Sequence, residues 1–128
     1  MTGHVYGHHA LLSVQLIPPG HSKIEIEFVI DTGFVGFLTL PAAAVEALGL
    51  PYSHSINANL ADDSSIRVAI YIAGIIWNGV EQETEVLATG SRPLLGTLLL
   101  DGHNLEIAFA DGGLITVEPM VSNSASPS

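Results

Sequence analysis

Asp31, Thr32 and Gly33 place an ionisable side chain inside an apolar run, Phe28-Val29-Ile30-Asp31-Thr32-Gly33-Phe34-Val35-Gly36-Phe37-Leu38-Thr39-Leu40. Burying an unpaired carboxylate is costly, so a group in such a place is paired, hydrogen-bonded or protonated. Thr32 supplies a hydroxyl that both donates and accepts, and Gly33 permits a backbone approach that a Cβ would block. The pattern reads as a strand delivering a carboxylate to a turn at the edge of a buried site. Such a carboxylate can serve as a general base or, protonated, as an acid. The tripeptide alone also fits a plain turn between two core strands.

Other groups capable of chemistry are weaker. His4, His8 and His9 cluster near the start, and His21, His54 and His103 are scattered, with spacings that match no compact metal-ligand motif. No cofactor or metal is expected. Glu81, Glu83 and Glu85 alternate along one strand and read as a solvated face rather than a cation site.

The elements that must position Asp31 are short and mostly extended. Leu11 to Ile17 and Lys23 to Ile30 read as strands around Pro18-Pro19-Gly20, and Phe37 to Leu40 as another. Pro41 can open a helix of about two turns, which Gly49 ends and Pro51 keeps from resuming. Tyr52 to Leu60, Ile66 to Trp77 and Val80 to Ala88 read as strands, with a polar turn at Ala61-Asp62-Asp63-Ser64-Ser65 and a hairpin signal at Asn78-Gly79. Leu94-Leu95-Gly96 leads into a brief helix capped by Thr97 and stopped by Gly102, and His103 to Phe109 and Leu114 to Glu118 close the chain. The expected organisation is a flexible N-terminus over 1–10, one domain over 11–119, and a disordered Ser-, Asn- and Pro-rich tail over 120–128.

Composition narrows the function. With 13 acidic and 3 basic side chains among 128 residues, the formal charge is −10. That balance argues against a nucleic-acid partner and against anionic membrane surfaces. No apolar run reaches the roughly 18 residues of a membrane helix, no secretory signal is visible, and there is no cysteine. A cytoplasmic location is expected.

The order of these features resembles the retropepsin-like aspartic proteases, and more closely the small predicted aspartyl proteases of bacteria. Two stretches carry the likeness, Val29-Ile30-Asp31-Thr32-Gly33-Phe34 and Pro93-Leu94-Leu95-Gly96-Thr97-Leu98-Leu99. The matching segments run from about Leu12 to Glu118. The resemblance implies an all-β fold, a closed β-barrel of the acid-protease half-domain type with two short helices. It implies Asp31 as the catalytic aspartate, Thr32 as the threonine bonding across to a partner loop, and Gly33 completing that loop. Leu94, Leu95 and Gly96 would pack beside it, and Ala61, Asp62, Asp63 and Ser64 would form the flap over a peptide substrate.

That chemistry needs two carboxylates sharing one proton. The chain holds one Asp-Thr-Gly, while Asp101 and Asp111 stand beside glycines as turn residues. Activity is therefore expected only of a homodimer in which symmetry supplies a second Asp31, with an optimum at about pH 4–6. Two positions depart from the best-known pattern. Phe34 stands where Ser or Ala is usual, which disturbs the outer hydrogen bonds of the dyad or narrows a substrate subsite. The tip Asp62-Asp63-Ser64 is acidic, and either favours basic or polar peptides or is an exposed turn without substrate contact. The alternative reading is a non-catalytic dimeric module that keeps the fold and binds extended peptide by strand addition.

Overall fold

The computed structural model describes residues 1–59 and 61–121. Strand makes up 56% and helix 9% of it. In chain order the elements are β1 (Thr2–Tyr6), β2 (His9–Ile17), β3 (Ile24–Ile30), β4 (Leu38–Leu40), α1 (Ala42–Leu48) and β5 (Tyr52–Asn59). After these come β6 (Ser65–Trp77), β7 (Val80–Ala88), β8 (Leu94–Leu95), α2 (Thr97–Leu100), β9 (His103–Ile107) and β10 (Leu114–Pro119).

Local chemistry explains most of the boundaries. Asn78 and Gly79 take φ of 50° and 77°, the left-handed pair that lets a two-residue hairpin follow the twist of its strands. Gly49 ends α1 at φ 65°, and its amide reaches the Glu46 carbonyl at 3.1 Å. Pro41 caps α1 from outside, at φ −54° and ψ 144°, so the helix starts one residue later than the sequence suggests.

The N-terminal segment departs from expectation. Residues 1–10 are not a flexible arm: β1 lies between β2 and β10, Val5 is buried, and the Met1 carbonyl accepts the Val117 amide at 2.8 Å. The folded unit therefore begins at the first residue rather than at residue 11. Of the tail expected at 120–128, residues 122–128 lie outside the described residues.

All ten strands join one sheet in the order β5-β6-β7-β4-β8-β3-β2-β1-β10-β9. β6 also pairs with β2, Gly74–Ile76 against Ile17–Gln15, so hydrogen bonds run from β6 through β7, β4, β8, β3 and β2 and back. This ring is not spread evenly about one axis; the architecture is a mostly β structure with two short helices. Leu12, Val14 and Leu16 of β2, Phe28 of β3, Leu38 of β4, Val86 of β7 and Leu95 of β8 fill the core. Full burial stabilises each such large side chain by about 1.5–3 kcal/mol. Among the described residues no helix is long and apolar enough to cross a membrane.

One feature of the topology builds the site. β8 lies between β3 and β4, parallel to β3 through Val29↔Leu94 and Ile30↔Leu95, and antiparallel to β4 through Leu38↔Leu95 and Thr39↔Leu94. β3 and β4 follow one another in the chain. The segment joining them, 31–37, must therefore pass over the end of the inserted strand.

Candidate active site

Asp31 is the first residue of that crossing segment. Its amide donates to the Leu95 carbonyl at 2.9 Å, which carries the β3–β8 pairing one step past the strand. Its carboxylate accepts the Gly33 amide at 2.9 Å, and its carbonyl accepts the Phe34 amide at 3.1 Å. Asp31 is half-buried, while Thr32 and Gly33 are exposed. The expected turn bearing a carboxylate is present, with the acid fixed by its own loop and open to solvent on one side.

The second half of the segment is clamped. The Gly96 amide donates to the Phe37 carbonyl at 2.8 Å, the Thr97 amide to Phe34 at 2.9 Å, and the Leu98 amide to Gly36 at 3.0 Å. The Thr97 hydroxyl adds a longer bond to the Phe34 carbonyl, 3.3 Å. The first amides of a helix have no partner inside it and must find one elsewhere. Here the loop carbonyls take that place, and α2 has no side-chain cap bond. Thr97, expected as the cap, is instead the first helical residue and ties the loop from below.

Phe34 is explained by the same contact. A Cβ on Gly96 would fall 2.6 Å from the Phe34 Cδ2 and 2.7 Å from its carbonyl oxygen, and one on Gly36 would fall within 2.5 Å of two atoms of the ring. The ring occupies the space that two glycines leave open. Half-buried, Phe34 acts as a strut between the loop and α2.

The other expected site residues divide. Leu95 is fully buried and Gly96 is buried, so both support the loop from within the core and neither offers a surface to a substrate. Leu94 is half-buried, and its amide donates to the Thr39 hydroxyl at 3.1 Å. Ala61, Asp62, Asp63 and Ser64 are exposed at the end of the β5–β6 hairpin, which pairs from Tyr52↔Tyr71 to Asn59↔Ser65. The hydroxyl and amide of Ser64 both donate to the Asp62 carboxylate. These bonds, the hydroxyl's foremost, hold Asp62 below its ordinary value. They stay within the tip, and Asp63 takes a left-handed φ of 65° there.

Asp101 follows α2 as its C-terminal cap and Asp111 lies in the turn before β10, in keeping with their reading as turn residues. Two contributors were not picked out from sequence, Gly36 and Thr39, and the Thr97 hydroxyl was picked out only as a helix cap. Gly36 had a signal, since it is a second glycine in an apolar run with no turn former beside it. Thr39 had a fainter one, as the polar member of an otherwise apolar strand; its burial needs the partner that the Leu94 amide supplies.

Comparison of the chain with models of protein families, with curated proteins and with solved structures finds no match.

Proposed function

We propose that the chain is a retropepsin-like aspartic endopeptidase, active as a homodimer, with a barrel-type half-domain contributing one Asp31 from each copy. The observation that carries the reading is the clamped crossing loop. Asp31 and its exposed neighbours Thr32 and Gly33 stand at the mouth of a segment that three consecutive amides of residues 96–98 hold in place. Rigid presentation of a solvent-facing carboxylate is what acid–base work on a bound water requires.

One carboxylate cannot do the whole reaction. With two Asp31 groups facing across a two-fold axis, like charge at close range leaves a single proton shared between them. The ionised member takes a proton from water, whose oxygen attacks the carbonyl carbon of the peptide bond. The protonated member gives its proton to the carbonyl oxygen. Collapse of the tetrahedral intermediate breaks the C–N bond as the amine nitrogen is protonated. The β5–β6 hairpin would close over the substrate, and the exposed Val35 and Leu98 (76% and 46% exposed) would give the two copies an apolar contact beside the loop.

The test is cleavage of a denatured protein or a peptide library at about pH 4–6, with native mass in parallel. Asp31→Asn should abolish cleavage and leave the dimer intact. Cleavage that survives this substitution removes the aspartic mechanism. Peptide binding without cleavage by the unaltered protein would turn the assignment to the non-catalytic dimeric module.

A further inference from the structure

Trp77 and His103 join two parts of the chain that strand pairing leaves apart. Trp77 ends β6 and is buried. His103 is half-buried and opens β9, the last strand of the sheet, which pairs with β10 on one side. The indole N–H donates to His103 Nε2 at 3.0 Å, and the two rings meet edge-on, with centroids 5.5 Å apart and planes at 69°. On its other side, His103 Nδ1 lies 2.8 Å from the Asp101 carbonyl oxygen, and Asp101 is the C-terminal cap of α2.

Both partners have a fixed polarity, and together they fix the state of the ring. An indole N–H only donates, and a carbonyl oxygen only accepts. Nε2 must therefore carry a lone pair and Nδ1 the proton, which is the neutral ring in one tautomer. A second proton would place an N–H on Nε2, facing the indole N–H. The bond to Asp101 survives that change and the bond to Trp77 does not. Trp77 is packed in the core, while β9 is held by β10 alone among the described strands, so the turn carrying His103 is the side that gives way.

Among the described residues, no carboxylate stands ready to replace the indole. Glu106 and Glu118 alternate with His103 and its partner Pro119 and lie on the other face of β9 and β10. On β7, Val80 is opposite Trp77, while Glu81 is opposite Ile76 on the reverse face. Arg67, the one charged residue of β6, sits near the far end of that strand, and α2 carries no charge. His4 of β1 is on its exposed face, and the Met1 ammonium donates to the Val117 carbonyl at 2.8 Å. Asp101 is exposed and offers its carbonyl to the other ring nitrogen.

We infer that His103 is a proton-operated latch: neutral, it fastens the α2–β9 turn to the end of β6, and protonated, it lets that turn go. Imidazole suits such a switch because its charge ordinarily changes between about pH 5 and 8. α2 gives the latch its reach, since residues 96–98 at its start hold the Asp31 loop and Asp101 at its end bonds to His103. The latch is a property of the fold and does not rest on what Asp31 does.

The test follows the one tryptophan by NMR, in the full chain and in Asp31→Asn, from about pH 8 down to about pH 5. The His103 ring nitrogens should show Nε2 unprotonated at the start. In the step where Nε2 takes its proton, the indole N–H resonance should move and its protection from hydrogen exchange should fall about tenfold, the scale of one hydrogen bond. The amide shifts of Asp101 to Asn104 should move in the same step. His103→Gln keeps an acceptor and a donor without titrating, and its indole should stay constant over the range. If that variant folds poorly, the coincidence of the two steps in the native protein decides the matter. An Nε2 protonated from the start, an indole unmoved while Nε2 takes its proton, or the same indole step in folded His103→Gln would each overturn the inference.

Discussion

Gly96→Ala tests the clamp on which the site depends. The new Cβ would lie 2.3 Å from the Gly36 carbonyl oxygen, 2.6 Å from the Phe34 Cδ2 and 2.7 Å from the Phe34 carbonyl oxygen. Two of these are backbone atoms, so no rotamer change relieves them. If the loop stays, the overpacking costs about 1–3 kcal/mol. If the loop lifts, it loses up to three amide bonds, those from Gly96, Thr97 and Leu98, each worth about 0.5–1.5 kcal/mol. Both routes converge on a destabilisation of about 1–4 kcal/mol, and the second also displaces Asp31. Gly74→Ala is the control, because its added Cβ meets only ordinary contact, 3.5 Å from Ile17, and it should be neutral or stabilise by up to about 1 kcal/mol. Urea denaturation should show a lower midpoint at unchanged slope for Gly96→Ala alone. If peptide cleavage is present in the native protein, it should fall about 10²-fold in Gly96→Ala, the scale of a 1 Å misplacement. A Gly96→Ala protein with native stability and activity would refute the claim that close backbone approach holds the loop.

Three further outcomes are expected. The Trp77 indole N–H donates to His103 Nε2 at 3.0 Å, and His103 Nδ1 in turn donates to the Asp101 carbonyl at 2.8 Å; His103→Ala should leave the buried indole unpaired, cost about 1–3 kcal/mol, and shift the fluorescence of the single tryptophan. Asp62 should titrate below its ordinary value in a carboxyl-carbon NMR titration, because both Ser64 bonds favour the ionised form. A depressed folded-state value means that its contribution is present above the ordinary aspartate range and is lost as pH falls through the lowered midpoint, so the tip turn should persist at pH 4–6; an ordinary midpoint would contradict the bonded turn. On the proposed dimer, Val35→Glu with Leu98→Glu should shift sedimentation velocity toward the monomer without lowering the melting temperature, since both side chains are exposed.

Much of the strand content was readable because this chain marks its turns with residues that have few other uses. Val80–Ala88 matches its observed strand end to end, since Asn78-Gly79 fixes where it starts. The strands expected over Tyr52–Leu60 and Ile66–Trp77 were readable for the same reason, with the polar stretch between them as the break; they are observed as Tyr52–Asn59 and Ser65–Trp77, Leu60 lying outside the described residues. β1 was not readable. Its inward residues are Gly3 and Val5, its outward ones include His4 and Tyr6, and small or polar residues conceal the alternation that reveals a strand. The turn after it is Gly7-His8, both at positive φ, 57° and 65°; histidine there is not the asparagine or aspartate that announces such a turn. One of the two partners that make β1 a strand, β10, lies at the far end of the chain.

The candidate site divides along the same line. Asp31 was legible because a carboxylate in an apolar run is costly without a purpose. The clamp was not, because it is made of carbonyls and amides, which every residue carries. Leu94-Leu95-Gly96 looked like a segment beside the acid; only the insertion of β8 between β3 and β4 turns its glycine into the point where two backbones meet. Phe34, which as a letter looked like an obstacle, fills the space that Gly36 and Gly96 leave.

This placement bears on how a dimer would assemble. The loop carrying Asp31 is held by bonds to α2 and β8 of its own chain, so its geometry does not wait for a second copy. A surface already ordered before association loses little conformational freedom when it binds. The affinity of the proposed dimer would then be set by what lies around the loop, Val35 and Leu98 above all, rather than by the loop itself. Pairing and catalysis become separable: substitutions at Val35 or Leu98 should weaken assembly while activity recovers at high protein concentration, whereas Asp31→Asn should leave assembly alone and no concentration should restore activity. A Val35→Glu/Leu98→Glu protein that assembles at high concentration but stays inactive would show that the loop is shaped by its partner after all.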